Sequence, residues 1–168
     1  MKRFSRIILP AALFLLLCLL AGCAGKPKEI RGIFSVRLAY SNGMQLSDQA
    51  YYSLERTADG CKATVKPLGI DPSEPLTVEV DEEFVGQVEE LLRTNHVEKW
   101  YGYKKRARNI KDGIGFTFYL KLEDGKEVDA VGYMNWPDGY ANVEAGMDSL
   151  FLGLWEAAGR KLPPEYGQ

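Results

Sequence analysis

Histidine is almost absent from this chain: His96 is the single one among 168 residues. A Ser/His/Asp or Cys/His mechanism would have to pass through it. Zinc hydrolysis draws on several His or carboxylate ligands at fixed spacing, and no such motif is present. His96 follows a predicted helix end, where an imidazolium would suit the helix dipole, so a structural or surface role competes with any chemical one. The sequence also lacks internal repeats, low-complexity stretches and a cofactor motif, and no cofactor or metal is expected. It lacks a basic excess, with a formal charge of −2. Its longest apolar run, from Ile7 to Leu20, falls short of the roughly 20 residues that a spanning helix needs.

What is present begins with an ordered export signal. Lys2, Arg3 and Arg6 precede the apolar run, which Pro10 alone interrupts, and small residues follow it. This is the layout of a secretory signal peptide. The small residues read Leu20-Ala21-Gly22-Cys23, which resembles the lipobox of bacterial lipoproteins. That resemblance implies a diacylglycerol on the Cys23 thiol, cleavage on its amino side and a membrane partner held through the lipid. Each buried methylene contributes about 0.8 kcal/mol, so one acyl chain binds reversibly and two or three anchor permanently. In that family an Asp after the cysteine often retains a protein at the inner membrane of two-membrane bacteria. Ala24 stands there instead, which implies the outer membrane if the organism has one. The expected organisation is a signal peptide over 1–22, a lipidated cysteine and short tether over 23–29, one domain over 30–162, and a mobile tail over 163–168.

Cleavage changes the composition. Loss of Lys2, Arg3 and Arg6 from 21 basic residues leaves 18 against 23 acidic ones, a net charge near −5. Such a domain has no global pull on nucleic acid, and none is expected as a partner. Cys18 leaves with the signal and Cys23 carries the lipid. Cys61 then remains alone, without a disulfide partner or a Cys-based metal site. No neighbouring Cys or His lowers its pKa, so a small buried hydrophobe competes with a reactive thiol.

The periodicities predict an α+β domain: one antiparallel sheet of about six strands, in the order ββββ-α-ββ-α, with both helices on one face. Ile33 to Tyr40 alternates, with Phe34, Val36, Leu38 and Tyr40 on the core side. Ala50–Thr57 and Cys61–Pro67 form a hairpin about Asp59-Gly60, which pairs Leu54 with Val65 and puts Cys61 on the Ala63/Val65 face. A short strand, Leu76–Val80, precedes a helix capped by Asp81, with Phe84, Val88, Leu91 and Leu92 buried and Asn95 ending it. In the last hairpin a two-residue loop would set Leu120 against Asp129. A three-residue loop, Glu123-Asp124-Gly125, instead pairs Leu120 with Val128 and Phe118 with Ala130, and turns Tyr119, Val131 and Tyr133 outward. Trp136 to Tyr140 is a turn, Asn142 caps the second helix, and Gly159 ends it.

Two constellations are candidate binding elements. Trp100, Tyr101 and Tyr103 run into Lys104, Lys105, Arg106, Arg108 and Lys111, a basic aromatic loop on an acidic protein. It suits an anionic envelope polymer, lipid head groups or an acidic protein partner. A solvated connection with Trp100 packed beneath competes with that reading. Tyr119 and Tyr133 with Val131, joined by Trp136 and Tyr140, form either an exposed aromatic patch or a surface covered by another element. Carboxylates at Asp112, Asp129 and Asp138 leave an acid/base hydrolase open, although two of them belong to ordinary Asp-Gly turns.

The second half, from Trp100-x-Gly102-Tyr103 through Asp112-Gly113, Asp124-Gly125, Gly132-Tyr133-Met134 and Pro137, is similar to small uncharacterised lipoproteins of Firmicutes-type bacteria. That resemblance implies no activity. The sequence therefore leads to a non-catalytic binding or interaction domain at the cell envelope, with a carboxylate-dependent envelope hydrolase or an assembly lipoprotein as alternatives.

Overall fold

The computed structural model describes residues 25–42, 49–71, 74–110 and 113–162. The expected export segment with Cys23, the expected turn at Gly43, Lys111, Asp112 and the residues from Pro163 onward lie outside them. In order come β1 (Ile33–Asn42), β2 (Ala50–Thr57), β3 (Gly60–Lys66), β4 (Leu76–Val80), α1 (Glu82–Thr94) and a 3-10 turn (Val97–Trp100). Then follow β5 (Tyr103–Arg106), β6 (Ile114–Leu122), β7 (Glu127–Tyr133) and α2 (Tyr140–Ala157). The strands make one sheet in the order β4-β3-β2-β1-β6-β7-β5. This is the α+β architecture read from the sequence, with one strand more. The extra strand, β5, lies in the basic segment expected to be a loop, and it pairs parallel to β7 while every other neighbour pair is antiparallel.

Register follows the apolar faces where both strands carry a full set. Leu120 lies opposite Val128 and Phe118 opposite Ala130, with Gly125 at φ +81° closing the three-residue turn. The β2–β3 hairpin differs from expectation: Leu54 pairs with Ala63 and Arg56 with Cys61. Its turn is Ala58-Asp59, with Gly60 already in the strand at φ +139°. The Thr57 hydroxyl sets this, donating to the Gly60 carbonyl at 3.1 Å and accepting from the Asp59 N–H at 3.4 Å. A two-residue shift keeps side chains on their faces, so Cys61 stays with Ala63 and Val65. In β1 the ladder shifts between Ile33 and Ser35, which exchanges the faces there. Ile33 is therefore buried, and Phe34, expected in the core, is exposed beneath the Lys121 ammonium.

Asp81 caps α1 by accepting the Phe84 N–H at 2.9 Å. The helix buries Val85, Val88 and Leu92, with Phe84 and Leu91 half-buried beside them. The second helix starts earlier than expected: Gly139, at φ +78°, is its cap position, and Asn142 lies inside it. Tyr140, Val143, Met147, Phe151 and Trp155 form its buried face. Gly159, at φ +74°, ends it with its N–H on the Glu156 carbonyl at 2.8 Å.

The position of α1 follows from topology. It leaves β4 at one sheet edge and delivers the chain to β5 at the other, so it crosses the strands. Helix α2 returns antiparallel beside it. Phe84 meets Phe151, Leu91 fills the space over Gly146, and Asn95 abuts Gly139. Both helices pack on the sheet face that carries Leu38, Leu54, Ala63, Phe118 and Val128. No described helix is long and apolar enough to cross a membrane.

Candidate functional site

The basic aromatic segment is not one surface, because a strand divides it. In β5, Tyr103 aligns with Ala130 and Lys105 with Gly132, both on the helix side of the sheet. Lys104 aligns with Val131 and Arg106 with Tyr133, on the opposite face. Trp100 leaves the surface altogether. Only 1 % exposed, it packs edge-on to Phe118 and donates its indole N–H to the Asp138 carbonyl at 2.9 Å. It is a core residue and the pin that holds the 135–139 turn. Tyr101 and Arg108 are exposed on either side of β5, and Lys111 lies outside the described residues.

On the helix side, Tyr103 and Lys105 line an open cleft of about 430 Å³ between the end of α1 and the turn before α2. That volume falls within the range of small-molecule sites, about 300–1,000 Å³. Thr94, Asn95, His96 and Lys99 form one wall, and Trp136, Pro137, Asp138 and Gly139 the other. A second cleft of about 520 Å³ adjoins it, sharing Trp136, Pro137 and Gly139 and adding Ile114, Tyr140, Asn142 and Glu144. Trp136 is thus common to both. It stacks on Tyr140 with ring centroids 4.8 Å apart and leans on Phe116 at 5.5 Å, yet remains 40 % exposed. An indole packed on one side and open on the other is a rigid apolar platform.

The turn carrying Trp136 is fixed from several directions. The Tyr103 hydroxyl donates to Asn135 Oδ1 at 2.5 Å, and burial raises the pKa of that hydroxyl. Met134 takes a left-handed conformation at φ 49° and donates its N–H to the Ile114 carbonyl. Gly139 passes so close to α1 that a Cβ would lie 3.0 Å from the Asn95 carbonyl oxygen. Lys105 sits with its ammonium 5.2 Å from the Tyr103 ring. His96 is exposed at φ 54°, with Nδ1 3.3 Å from Glu98 Oε1.

The opposite sheet face carries the other candidates. Tyr119 and Val131 are exposed, and neither helix covers them. Tyr119 donates to Glu127 at 2.8 Å, Lys104 pairs with Asp129 at 3.2 Å, and the Arg106 guanidinium lies 4.8 Å over the Tyr133 ring. These charges are answered by near neighbours.

The chemical candidates are not brought together. Cys61 is buried at the β3 end of the sheet, far across the fold from His96 and β5. Arg56 Nη1 lies 3.4 Å from its sulfur, but burial outweighs this and raises the thiol pKa. Among the described residues each cleft is lined by a single carboxylate, Asp138 in one and Glu144 in the other. Among the described residues no three His, Cys, Asp or Glu side chains converge as for a metal. Sequence reasoning names Trp136 as a candidate binding residue and gives Asn95 and Asn142 only helix-end roles, and it passes over Lys99 and Glu144. The signal for Lys99 was its place one residue before a buried Trp, on a helical turn that leads into the basic run.

Neither a protein-family model, nor a curated protein, nor a solved structure matches the chain.

Proposed function

We propose that this protein is a lipid-anchored, extracytoplasmic binding domain that holds a component of the cell envelope, without catalysis, in the cleft walled by Trp136. The anchor rests on the Leu20-Ala21-Gly22-Cys23 motif behind a basic, apolar export segment. The binding reading rests on one observation above others: an exposed indole on a fixed backing stands beside Lys99 and Lys105 in a cleft of ligand size. A hydrolase acting through paired carboxylates finds less support, because among the described residues neither cleft presents two acids. The exposed Tyr119/Val131 face favours a second reading, in which a protein partner docks on the uncovered side of the sheet.

The anchor is tested by growing cells with a clickable palmitate analogue and fractionating them. The full chain should carry the label and sediment with membranes. Cys23→Ala should lose the label and shift to the soluble or unprocessed pool. Label incorporation that persists in Cys23→Ala would sink the assignment.

A further inference from the structure

We infer that the Trp136 cleft takes a saccharide bearing an anionic group, with a sugar ring on the indole and the anion between Lys99 and Lys105; this rests on the reading of that cleft as the binding site. What sets the two lysines apart is that both line one cleft and, among the described residues, neither is neutralised by a carboxylate; Arg106, on the opposite face, is not either, and Lys105 has only the Tyr103 ring beside it. Lys104 is paired with Asp129, Arg56 with Glu82 and Glu123, and Arg93 with Glu90. Among the described residues neither Lys99 nor Lys105 has an ion pair, and both line the same cleft. Among the described residues Asp138 is the only carboxylate in the lining, with Glu98 behind it against His96, so the lining itself is net positive within a protein whose mature chain is net negative. Such a local field selects an anion against the global charge.

The indole fixes the rest of the ligand. Its backing on Tyr140 and Phe116 means that the indole itself does not have to be ordered on binding, which removes part of the usual entropic cost. A flat, partly apolar ring can cover it, and the apolar C–H face of a pyranose does so while its rim stays hydroxylated. Beyond Trp136 the second cleft offers Asn142 and Glu144, which are partners for hydroxyls. A carboxylate at Glu144 disfavours a second anion on that side. The arrangement therefore fits a chain in which a charged sugar is followed by a neutral one.

The test uses the full chain, purified in mild detergent, and isothermal titration with three probes at low and high salt. A hyaluronan tetrasaccharide alternates charged and neutral sugars, chitotetraose is neutral, and AMP joins an anion to an aromatic base. The hyaluronan tetrasaccharide should bind at least about tenfold more tightly than chitotetraose, and the difference should shrink at high salt. Lys99→Ala with Lys105→Ala should remove that difference while leaving the melting midpoint unchanged, and Trp136→Phe should weaken both sugars. Equal binding of the two sugars would overturn the anion subsite, tighter binding of AMP would overturn the saccharide, and no binding at all would overturn both. Iodide quenching of Trp136 with muramidase-digested cell wall separates the remaining cases. Protection there without hyaluronan binding keeps the cleft and overturns the alternating charged–neutral chain as its ligand, and no protection by either removes the cleft reading itself.

Discussion

At Gly132 a single atom decides whether the site forms. A Cβ there would lie 2.2 Å from the Asn135 carbonyl oxygen and 2.3 Å from a Phe116 ring carbon. The first is backbone, and the second is held by Trp136 and Tyr140, so neither yields cheaply. Gly132→Ala should destabilise the fold by about 1–3 kcal/mol, read as a lower urea midpoint, and should loosen the turn that carries Trp136. Glu144 and Asp148, one turn apart on α2, make a second residue-scale case. Burial raises both pKa values; the negative charge of Asp148 adds to the rise at Glu144, and the Tyr140 and Tyr52 hydroxyls oppose it at Glu144 and Asp148 respectively. A raised folded-state pKa gives stability that is present below the ordinary carboxylate pKa of about 4 and lost as pH rises through the folded value. At neutral pH both groups therefore sit on the unfavourable side. Glu144→Gln should raise the thermal midpoint at pH 7.5, with the gain shrinking towards pH 4. A gain that is constant with pH would remove the electrostatic explanation.

Arg56 ties three elements together at the far edge of the helix face. It donates from Nε to the Ile33 carbonyl at 2.9 Å, forks onto Glu82 at 2.5 and 2.8 Å, and lies 3.1 Å from Glu123. The β1 bulge, the first turn of α1 and the β6–β7 hairpin thus share one guanidinium. Its two carboxylate partners are solvent-exposed, so Arg56→Met should cost only about 1–2 kcal/mol, and Arg56→Lys should recover little because a point charge cannot fork. Denaturant midpoints of the two variants check this. At this scale the sequence was legible wherever two strands both showed complete apolar faces, as in β6 and β7. It misled where a side chain chose the turn, as Thr57 did in β2–β3, and where a bulge reversed the alternation, as at Phe34. Strand β5 was illegible for a different reason. Tyr-Lys-Lys-Arg has no apolar period, and its pairing comes from β7 and the buried Trp100 that precedes it.

For the whole molecule, α1 and α2 lie antiparallel across one face and meet where Asn95 abuts Gly139, and the cleft opens at that junction. Its residues come from the end of one helix, an edge strand and a turn some forty residues on, so no local pattern announced it. What the sequence showed was the unusual company of aromatics and cations. What it hid was the division between two faces, which sends Lys105 to the cleft and Lys104 to an ion pair with Asp129. The account stands on Trp136 being the exposed tryptophan in a positive cleft, since Trp100 and Trp155, the other two, are buried. The most direct measurement compares quenching of tryptophan emission in the full chain by iodide and by caesium at equal ionic strength. With each quenching constant divided by that of N-acetyltryptophanamide for the same ion, iodide should quench a single accessible class more strongly than caesium. Trp136→Phe should abolish that class, and Lys99→Glu with Lys105→Glu should reverse the preference. Equal quenching by the two ions, or an accessible class that survives Trp136→Phe, would contradict the account.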